Sequence, residues 1–316
     1  MDRQLLPHLA IVLAVQRRGG FASAAGELGM SASAVSHAVR AVEEQLGQPL
    51  FARTTRSVRL TEAGEVFLRA LAPAMSEIAD AVDGFGARFG RVGGVLRINA
   101  PHVALPMALT PLVAEMSRRH PGVEVEVTSD DGLADIVAGG YDAGVRLGHT
   151  VAQDMVAVRL TPPFKAIMVA SPGYLASAGV PRDIAALARH NCIGFRFVTS
   201  GGAYAWDLID RKDHVSVEVK GTVRVTNALY ARDLALAGVG VAYIFEPLVR
   251  AELADGRLRQ ILPASAFEEP GLFLYFPRRG AEAPKLRVFV DLAREMAGLA
   301  GLAGLVTAGS GPSSGQ

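Results

Sequence analysis

The stretch spanning residues 21–40, FASAAGELGMSASAVSHAVR, constrains the fold more than any other part of this chain. Apolar residues at helical spacing predict two short helices with a break between them at Gly29. Gly29 suits that break, because two helices that meet at a wide angle need a turn residue that tolerates a positive φ. The apolar stripes are Ala24, Ala25 and Leu28 in the first helix and Val35, Val39 and Val42 in the second. The stretch therefore predicts a helix-turn-helix.

The second helix of this pair has a small, polar outer face that suits the major groove of DNA. Small side chains let a helix settle deeply into the groove, and polar ones reach base edges and phosphates. Serine residues at the start can also cap the helix. An ordinary solvated helix face is the alternative, but the position directly after the glycine turn favours DNA contact. The candidates are Ser31, Ser33, Ser36, His37 and Arg40.

Residues 49–61, PLFARTTRSVRLT, predict a short β-like wing beside the helices. This stretch has arginine at every third position and contains no acid, and arginine is favoured where a narrow minor groove focuses negative potential. Residues 1–61 hold seven arginines against four acids, whereas the remainder holds two more acids than bases. That asymmetry suits a polyanionic partner better than a membrane. Arg53, Thr54 and Arg56 are candidate DNA contacts, with a surface loop of no function as the alternative.

A long helix is expected over residues 62–91, capped by Thr61. Its apolar residues alternate between spacings of three and four, which is typical of a coiled-coil seam. The members of this seam are Leu68, Leu71, Met75, Ile78, Val82, Phe85 and Phe89. The alternative is a helix that packs against its own domain. A lone helix with such a stripe needs a surface that buries it, so the pattern favours a homodimer.

After Gly93 and Gly94 the pattern changes to short apolar strands that alternate with helices. This alternation predicts a parallel sheet covered on both faces. Residues 215–221 and 222–227 look like a β-hairpin. The last strand and helix are expected to return to the first of two lobes, so lobe I spans about 93–164 and 270–300 and lobe II about 165–269. Residues 301–316 are expected to form a disordered tail.

Polar residues at the ends of the expected strands are candidates for a ligand site between the lobes. Ligands of open α/β sheets bind where strand ends and helix N-termini converge. Each residue has an alternative role as a turn residue that satisfies its own backbone. The candidates are Pro101, His102, Ser129, Asp130, Asp131 and Arg146 in lobe I, with Thr199, Ser200 and Asn227 in lobe II.

The sequence offers no pattern for catalysis, a metal or a cofactor. His102 near Asp130 and Asp131 lacks a nucleophile elbow, and the chain has neither metal-ligand spacing nor a glycine-rich phosphate loop. The single cysteine, Cys192, rules out an internal disulfide, suits a reducing compartment and is expected in the core. A signal peptide and an apolar run of about 18 residues are both missing, so a cytoplasmic location is expected.

Residues 21–64 resemble the LysR-type transcriptional regulators. The shared features are the Ala-Ala pair, SAVS, the Leu-Gly before Leu-Phe-x-Arg, and LTEAG, all at family spacing. The later phrases SPGYL, DAGVRLG and FPRR look like a subgroup of that family. The resemblance implies a winged helix-turn-helix, a long dimerisation helix and a two-lobed effector-binding domain like type 2 periplasmic binding proteins. It also implies that Ser23 binds a DNA phosphate.

The chain departs from the family at Ala32, where members commonly have glutamine. Loss of that glutamine removes a bidentate reader of adenine at the start of the second helix. Recognition is therefore expected to depend more on Ser33, His37 and DNA shape.

These features predict an α+β multidomain regulator of transcription. The expected domains are a DNA-binding unit (residues 1–61), a linker helix (62–91) and an effector-binding domain (93–300). Its expected partners are an operator with an interrupted inverted repeat, a small-molecule effector and a second copy, and the resemblance adds a tetramer built as a dimer of dimers. The alternatives are a solute-binding domain, which leaves the first 90 residues unexplained, and an enzyme with an appended DNA-binding module.

Overall fold

The computed structural model describes residues 5–53, 58–88, 92–132, 135–137, 139–148 and 155–308. The helices are α1 (Leu6–Arg18), α2 (Phe21–Leu28), α3 (Ala32–Leu46), α4 (Glu62–Arg88), α5 (Thr110–Arg119), α6 (Pro172–Ala178), α7 (Ala228–Leu236), α8 (Arg250–Ala254) and α9 (Pro284–Ala308). The strands are β1 (Phe51–Arg53), β2 (Val58–Leu60), β3 (Gly94–Ala100), β4 (Val123–Ser129), β5 (Ala143–Leu147), β6 (Met155–Arg159), β7 (Phe164–Ala170), β8 (Cys192–Arg196), β9 (Ala203–Tyr204), β10 (Trp206–Asp210), β11 (Asp213–Val217), β12 (Arg224–Val225), β13 (Val241–Phe245), β14 (Arg259–Ile261), β15 (Phe267–Glu269) and β16 (Leu272–Pro277).

The helix-turn-helix prediction is confirmed. Helix α2 ends at Gly29, whose φ of 62° places it in the left-handed region that favours glycine. Ser31 then caps α3, because its Oγ accepts a hydrogen bond from the backbone N–H of Ala34 at 3.1 Å. The buried face of α3 packs on α1 and α2 through Val35, Ala38, Val39 and Val42.

The wing and the long helix meet at Thr61. Strands β1 and β2 pair antiparallel, with Phe51 opposite Leu60. The Thr61 hydroxyl accepts from the backbone N–H of Gly64 at 3.0 Å and donates to the Pro49 carbonyl at 2.6 Å. Thr61 therefore caps the start of α4, as the sequence predicts, and ties that helix to the wing.

The apolar stripe of α4 divides between two environments, which corrects the expected seam. Leu68 and Leu71 are buried in the same core as α1–α3, and Met75 packs partly against that core. The later members with more than half of their side chains exposed are Ile78, Val82 and Phe85. Phe89 lies outside the described residues. The seam prediction is therefore wrong for Leu68 and Leu71, because the helix-turn-helix of the same chain already buries them.

Lobe I is built on a mixed sheet with strand order β4-β3-β5-β16-β6. Strands β3, β4 and β5 are parallel, whereas β16 runs antiparallel to both β5 and β6. Helices α5 and α9 pack against this sheet, with Met116 and Phe289 fully buried. The Lys285 ammonium, at the start of α9, lies 3.1 Å from a carboxylate oxygen of Asp142, and both side chains are buried.

Lobe II contains a second mixed sheet, with strand order β12-β8-β13-β7-β14; β9 pairs with β8 and β15 with β7. The expectation of a parallel sheet is confirmed for β3, β4 and β5, the strands of the alternating stretch in lobe I. It does not extend to the full sheets, because returning strands in both lobes pair antiparallel with their neighbours. The expected hairpin of residues 215–221 and 222–227 does not form either. Instead, β11 pairs with β10, and β12 pairs in parallel with β8.

The C-terminal helix returns to lobe I and is longer than expected. Helix α9 continues to Ala308, so a tail that begins at residue 301 starts too early, while residues 309–316 lie outside the described part. Its last turns are rich in alanine and leucine, which favour helix. Among the described residues, no helix is both long and apolar enough to cross a membrane.

Candidate functional site

The exposed face of α3 carries most of the expected DNA contacts. Ser33, His37 and Arg40 are exposed, and their spacing of four and three residues places them on one face of the helix. Ser36 is half-buried beside them. This face lies opposite the apolar stripe that packs on α1 and α2, so the core holds it outward.

The serines at the ends of the two helices have different surroundings. The Oγ of Ser31 serves as the α3 cap and lies 3.1 Å from the Oγ of Ser33. Ser23 is exposed on α2. Ser31 therefore stabilises the first turn of α3. Its hydroxyl already serves as the helix cap, so a DNA contact would have to use the same group.

The structure describes only part of the arginine-rich wing. Arg53 ends β1, but its side chain lies outside the described residues, as do Thr54 and Arg56. Arg59 is exposed on β2 and is an additional basic residue of this wing. Two other arginines of the unit are engaged elsewhere, because the guanidinium groups of Arg17 and Arg18 lie 2.8 Å and 2.6 Å from the Glu27 carboxylate.

A cavity of about 900 Å³ lies between the two lobes. Its walls come from the ends of β3 and β5 in lobe I and from β8, β10, β13 and β15 in lobe II. A volume of this size accommodates a drug-sized ligand. The predicted cleft residues that line it are Pro101, Asp131, Arg146, Thr199 and Ser200.

Among the described residues that line this cavity, Arg146 is the only arginine or lysine. It is 7% exposed, and its guanidinium donates to the carbonyl oxygens of Val145 and Gly132 and to the side-chain oxygen of Asn99, over 2.6–2.8 Å. All three acceptors are neutral, and no carboxylate among the described residues pairs with it. A buried guanidinium held only by neutral acceptors is suited to bind an anion.

The other expected residues of lobe I support the loop after β4. The backbone N–H of His102 donates to Asp131 Oδ1 at 2.9 Å, and its Nδ1 lies 3.1 Å from Asp131 Oδ2. Asp130 Oδ1 accepts from the N–H of Gly132, and Ser129 ends β4 with a buried hydroxyl. His102, Ser129 and Asp130 are therefore near the cavity but do not line it.

Asn227 is a helix cap and does not line the cavity, contrary to the expectation. Its side-chain oxygen accepts hydrogen bonds from the backbone N–H groups of Leu229 and Tyr230 at 2.8 Å and 3.3 Å. This is the preferred N-cap geometry of asparagine. That oxygen is already bonded to the first turn of α7. Asn227 therefore has the alternative role given above, that of a residue that satisfies the local backbone.

Sequence reasoning missed an aromatic wall on the lobe II side of the cavity, formed by Phe197, Tyr204, Trp206 and Tyr243. Trp206 stacks on Tyr243, with ring centroids 5.5 Å apart and an interplanar angle of 17°. Tyr204 lies 6.2 Å from Tyr243 and meets Phe197 edge-on at 5.6 Å. Aromatic residues are common in strands, so a single one does not indicate a binding site. The signal in the sequence was the clustering of several aromatic residues between 195 and 206.

Two acids that the prediction also missed, Asp207 and Glu269, line the cavity beside the aromatic wall. The Asp207 carboxylate accepts from the hydroxyls of Tyr204 and Ser216 at 2.6 Å and 2.8 Å and lies 2.8 Å from His214 Nε2. Burial would raise the pKa of Asp207, but these hydrogen bonds lower it below its ordinary range. Glu269 is 4% exposed, and its Oε2 has no hydrogen-bond partner among the described residues. Burial, and then the charge of Asp207, raises the pKa of Glu269 to about 7.

The cavity combines mostly apolar walls with a few polar groups from both lobes, which is the usual composition of a ligand-binding site. Cys192 is buried outside its lining, and burial raises the pKa of this thiol to about 11. Across the described part of the chain, no three histidine, cysteine or acidic side chains converge to hold a metal ion.

Comparison with known proteins covers both halves of the chain. The model of the bacterial regulatory helix-turn-helix protein, lysR family, matches residues 6–65, and that of the LysR substrate binding domain matches residues 89–298. A putative transcriptional regulator of Pseudomonas aeruginosa is 36% identical over 294 residues, which cover 93% of this chain and 96% of the relative. The regulator PgrR of Escherichia coli is 34% identical, with 92% and 97% covered.

A solved structure has the same arrangement of domains. CrgA, a LysR-type transcriptional regulator from Neisseria meningitidis, is 28% identical and superimposes with a TM-score of 0.59, covering 92% of this chain and 98% of CrgA. Both family models and these relatives span the helix-turn-helix and the two-lobed domain together. The chain therefore belongs to the LysR family of transcriptional regulators, with an N-terminal helix-turn-helix and a C-terminal effector-binding domain.

Proposed function

We propose that α3 of this regulator enters the major groove of its operator and reads it through Ser33, Ser36, His37 and Arg40. The observation that carries the proposal is the exposed polar face of α3, which the apolar core holds outward. Small side chains at the start of α3 allow close approach to the bases, and Arg40 supplies a phosphate or base contact. Ser23 and the wing residues Arg53, Thr54 and Arg56 bind the flanking backbone or minor groove.

Two copies pair through the exposed end of α4. Ile78, Val82 and Phe85 form one stripe, with exposed fractions of 56%, 68% and 69%. An apolar stripe of this kind favours burial against a second helix. A two-fold pair holds two α3 helices at a fixed spacing, which matches an operator with an interrupted inverted repeat, and two such dimers form a tetramer.

The effector binds in the cavity between the lobes and shifts the oligomer between two arrangements on DNA. Such a shift requires different effector affinities for the two arrangements. Pro101, Asp131, Arg146, Thr199 and Ser200 contribute to this site from opposite lobes, so ligand binding couples to the angle between them. A chain that acts on chromosomal operators works in the cytoplasm.

The direct test is fluorescence anisotropy of a labelled duplex from the region upstream of the chain's own gene, titrated with the full-length protein at low salt. We expect saturable binding that exceeds binding to a scrambled duplex, with sedimentation showing a dimer or tetramer on the DNA. Equal affinity for the two duplexes would contradict operator recognition. A single copy bound to the intact site would contradict the paired arrangement.

A further inference from the structure

The chemistry of the interlobe cavity identifies the class of effector, an inference that rests on the effector site proposed above. We propose that the effector is a zwitterion, with a carboxylate bound by Arg146, a cationic nitrogen bound by Glu269 and an apolar body between them. Arg146 belongs to lobe I and Glu269 to the last strand of lobe II, so one such molecule would bridge the two lobes.

The anion end of the site is Arg146. Its guanidinium is buried at the cavity and is held by three neutral oxygens, so its positive charge is solvated but not neutralised. A guanidinium in this setting attracts a carboxylate, because a charge-assisted hydrogen bond is stronger than one to a neutral acceptor. Both Nη2 hydrogens donate to Asn99 and Gly132, whereas Nε–H and one N–H of Nη1 have no acceptor among the described residues, so either can donate to a carboxylate oxygen.

The cation end of the site is Glu269, whose Oε2 has no hydrogen-bond partner in the part of the chain that the structure describes. Asp207 beside it is satisfied by Tyr204, His214 and Ser216, so it needs no ligand. Glu269 lines the cavity with an unpartnered oxygen while it is 4% exposed, and no cationic side chain of the described residues influences it. A buried carboxylate is costly unless it is paired, and a ligand cation is the missing partner.

The aromatic wall beside Glu269 favours the same ligand group. Trp206 and Tyr243 stack on each other and line this end of the cavity, and Tyr204 continues the wall. Ring faces carry negative potential and attract ammonium and guanidinium groups within about 6 Å of the ring centroid. The carboxylates of Glu269 and Asp207 add to that potential, so this end of the cavity is selective for positive charge.

The walls in the middle of the cavity determine which kind of group can lie between the two charged ends of the ligand. The apolar lining comes from both lobes, with Val103, Leu147 and Leu272 of lobe I and Ile193, Phe195 and Phe267 of lobe II. With apolar walls and a volume of about 900 Å³, the site leaves room for an aromatic or extended aliphatic body. A simple inorganic anion or a small diamine fills only one end.

The test measures thermal shifts and dissociation constants of the full-length protein with sets of matched probes. The first set is para-(aminomethyl)benzoate, para-toluate and para-methylbenzylamine, which carry both charges, the carboxylate alone and the ammonium alone on one ring. The second set is their biphenyl homologues, which extend the distance between the charged groups. We expect a zwitterion of one of the two lengths to bind about 10- to 100-fold more tightly than its single-charge analogues, as the loss of a charge-assisted hydrogen bond predicts.

Substitutions assign each end of the ligand. E269Q should remove the advantage of the zwitterion over the carboxylate probe, and R146Q should remove its advantage over the ammonium probe. E124Q is the matched control, because Glu124 is exposed on β4 outside the cavity, and it should leave all affinities unchanged. Circular dichroism confirms that each variant is folded.

Three results would overturn the proposal: a carboxylate probe that binds as tightly as its zwitterion, a zwitterion affinity that E269Q leaves unchanged, or no stabilisation by either zwitterion. The anisotropy titration on the upstream duplex separates these failures from failure of the proposed function. If the wild-type protein binds its operator while the zwitterions fail, only the effector class is wrong. If it does not bind operator DNA, the regulatory function itself is wrong.

Discussion

Gly64 packs so closely against Leu50 that a Cβ at Gly64 would lie 2.1 Å from the Leu50 carbonyl oxygen. This contact joins Leu50, the residue before β1, to the first turn of α4, next to the Thr61 cap. Gly64 belongs to the first turn of α4, and Leu50 is buried directly before β1, so neither side yields easily. The joint therefore fixes the angle at which the helix-turn-helix leaves the linker helix.

Replacement of Gly64 by alanine should push the first turn of α4 away from Leu50. We expect G64A to lower the free energy of unfolding of the N-terminal unit by about 3 kcal/mol, because overpacking against backbone forces both elements to shift. Urea denaturation followed by circular dichroism measures the loss, and operator affinity should fall with it. The control is G26A in α2, where nothing lies within 4 Å of the added Cβ. Alanine in a helix interior stabilises by about 0.5–1 kcal/mol relative to glycine, so G26A should be neutral or stabilising.

The exposed end of α4 gives a prediction about assembly. The double substitution V82D and F85D places two charges on the stripe that we propose as the dimer contact, so it should shift the protein to monomers and abolish operator binding. Analytical ultracentrifugation measures the assembly. A79D introduces the same charge on the flank of the same exposed turn and should leave the dimer intact. A dimer that tolerates V82D and F85D would place the contact elsewhere.

Substitutions on the outer face of α3 should distinguish the residues that read bases from the residue that binds phosphate. S33A and H37A are expected to reduce discrimination between operator and scrambled DNA, because they remove groups that face the bases in the proposed pose. R40A should weaken binding to both duplexes and reduce the slope of log affinity against log salt by about 0.9 if Arg40 neutralises one phosphate. R182A, an exposed arginine of lobe II, is the matched control and should leave the slope unchanged.

Local signals made the N-terminal unit predictable. Gly29 and Ser31 specify the turn and the cap through their own backbone and side-chain chemistry, and Thr61 does the same for α4. The heptad stripe marks the apolar side of α4, but spacing alone does not say which surface buries it or how far along the helix that burial extends. The core of the same chain covers Leu68 and Leu71, which a pattern of alternating threes and fours cannot distinguish from a coiled coil.

The effector cavity was predictable only in part, because its residues are brought together by pairing between distant strands. Arg146 lies near the end of β5 and Asp131 follows β4, so the rule that ligands bind at strand ends located both of them. Glu269 and the aromatic wall come from separate strands of lobe II, and a buried acid in a strand has no local signature. The expected hairpin of residues 215–227 failed for a related reason, since alternation indicates a strand but not its partner.

The buried carboxyl of Glu269 gives a prediction about stability and pH. Burial and Asp207 raise its pKa from 4.5 to about 7 in the folded protein. A carboxyl with a raised folded pKa stabilises the fold below its unfolded pKa and loses that contribution as the pH rises through its folded value. Because 2.5 pH units correspond to about 3 kcal/mol, E269Q should be more stable than the wild-type protein by up to that amount at about pH 8 and nearly equal to it at about pH 4.

Urea denaturation of both proteins across this pH range, without added ligand, measures the difference. Asp207, Tyr204 and Tyr243 are the titratable groups that face Glu269, and D207N should reduce the pH-dependent gain because it removes one negative charge. E268Q is the control, since Glu268 is exposed on the same strand and gains little from neutralisation. An E269Q variant that is less stable at about pH 8 than the wild-type protein would show that Glu269 already has a cationic partner within the chain, which would leave no charge for a ligand to neutralise.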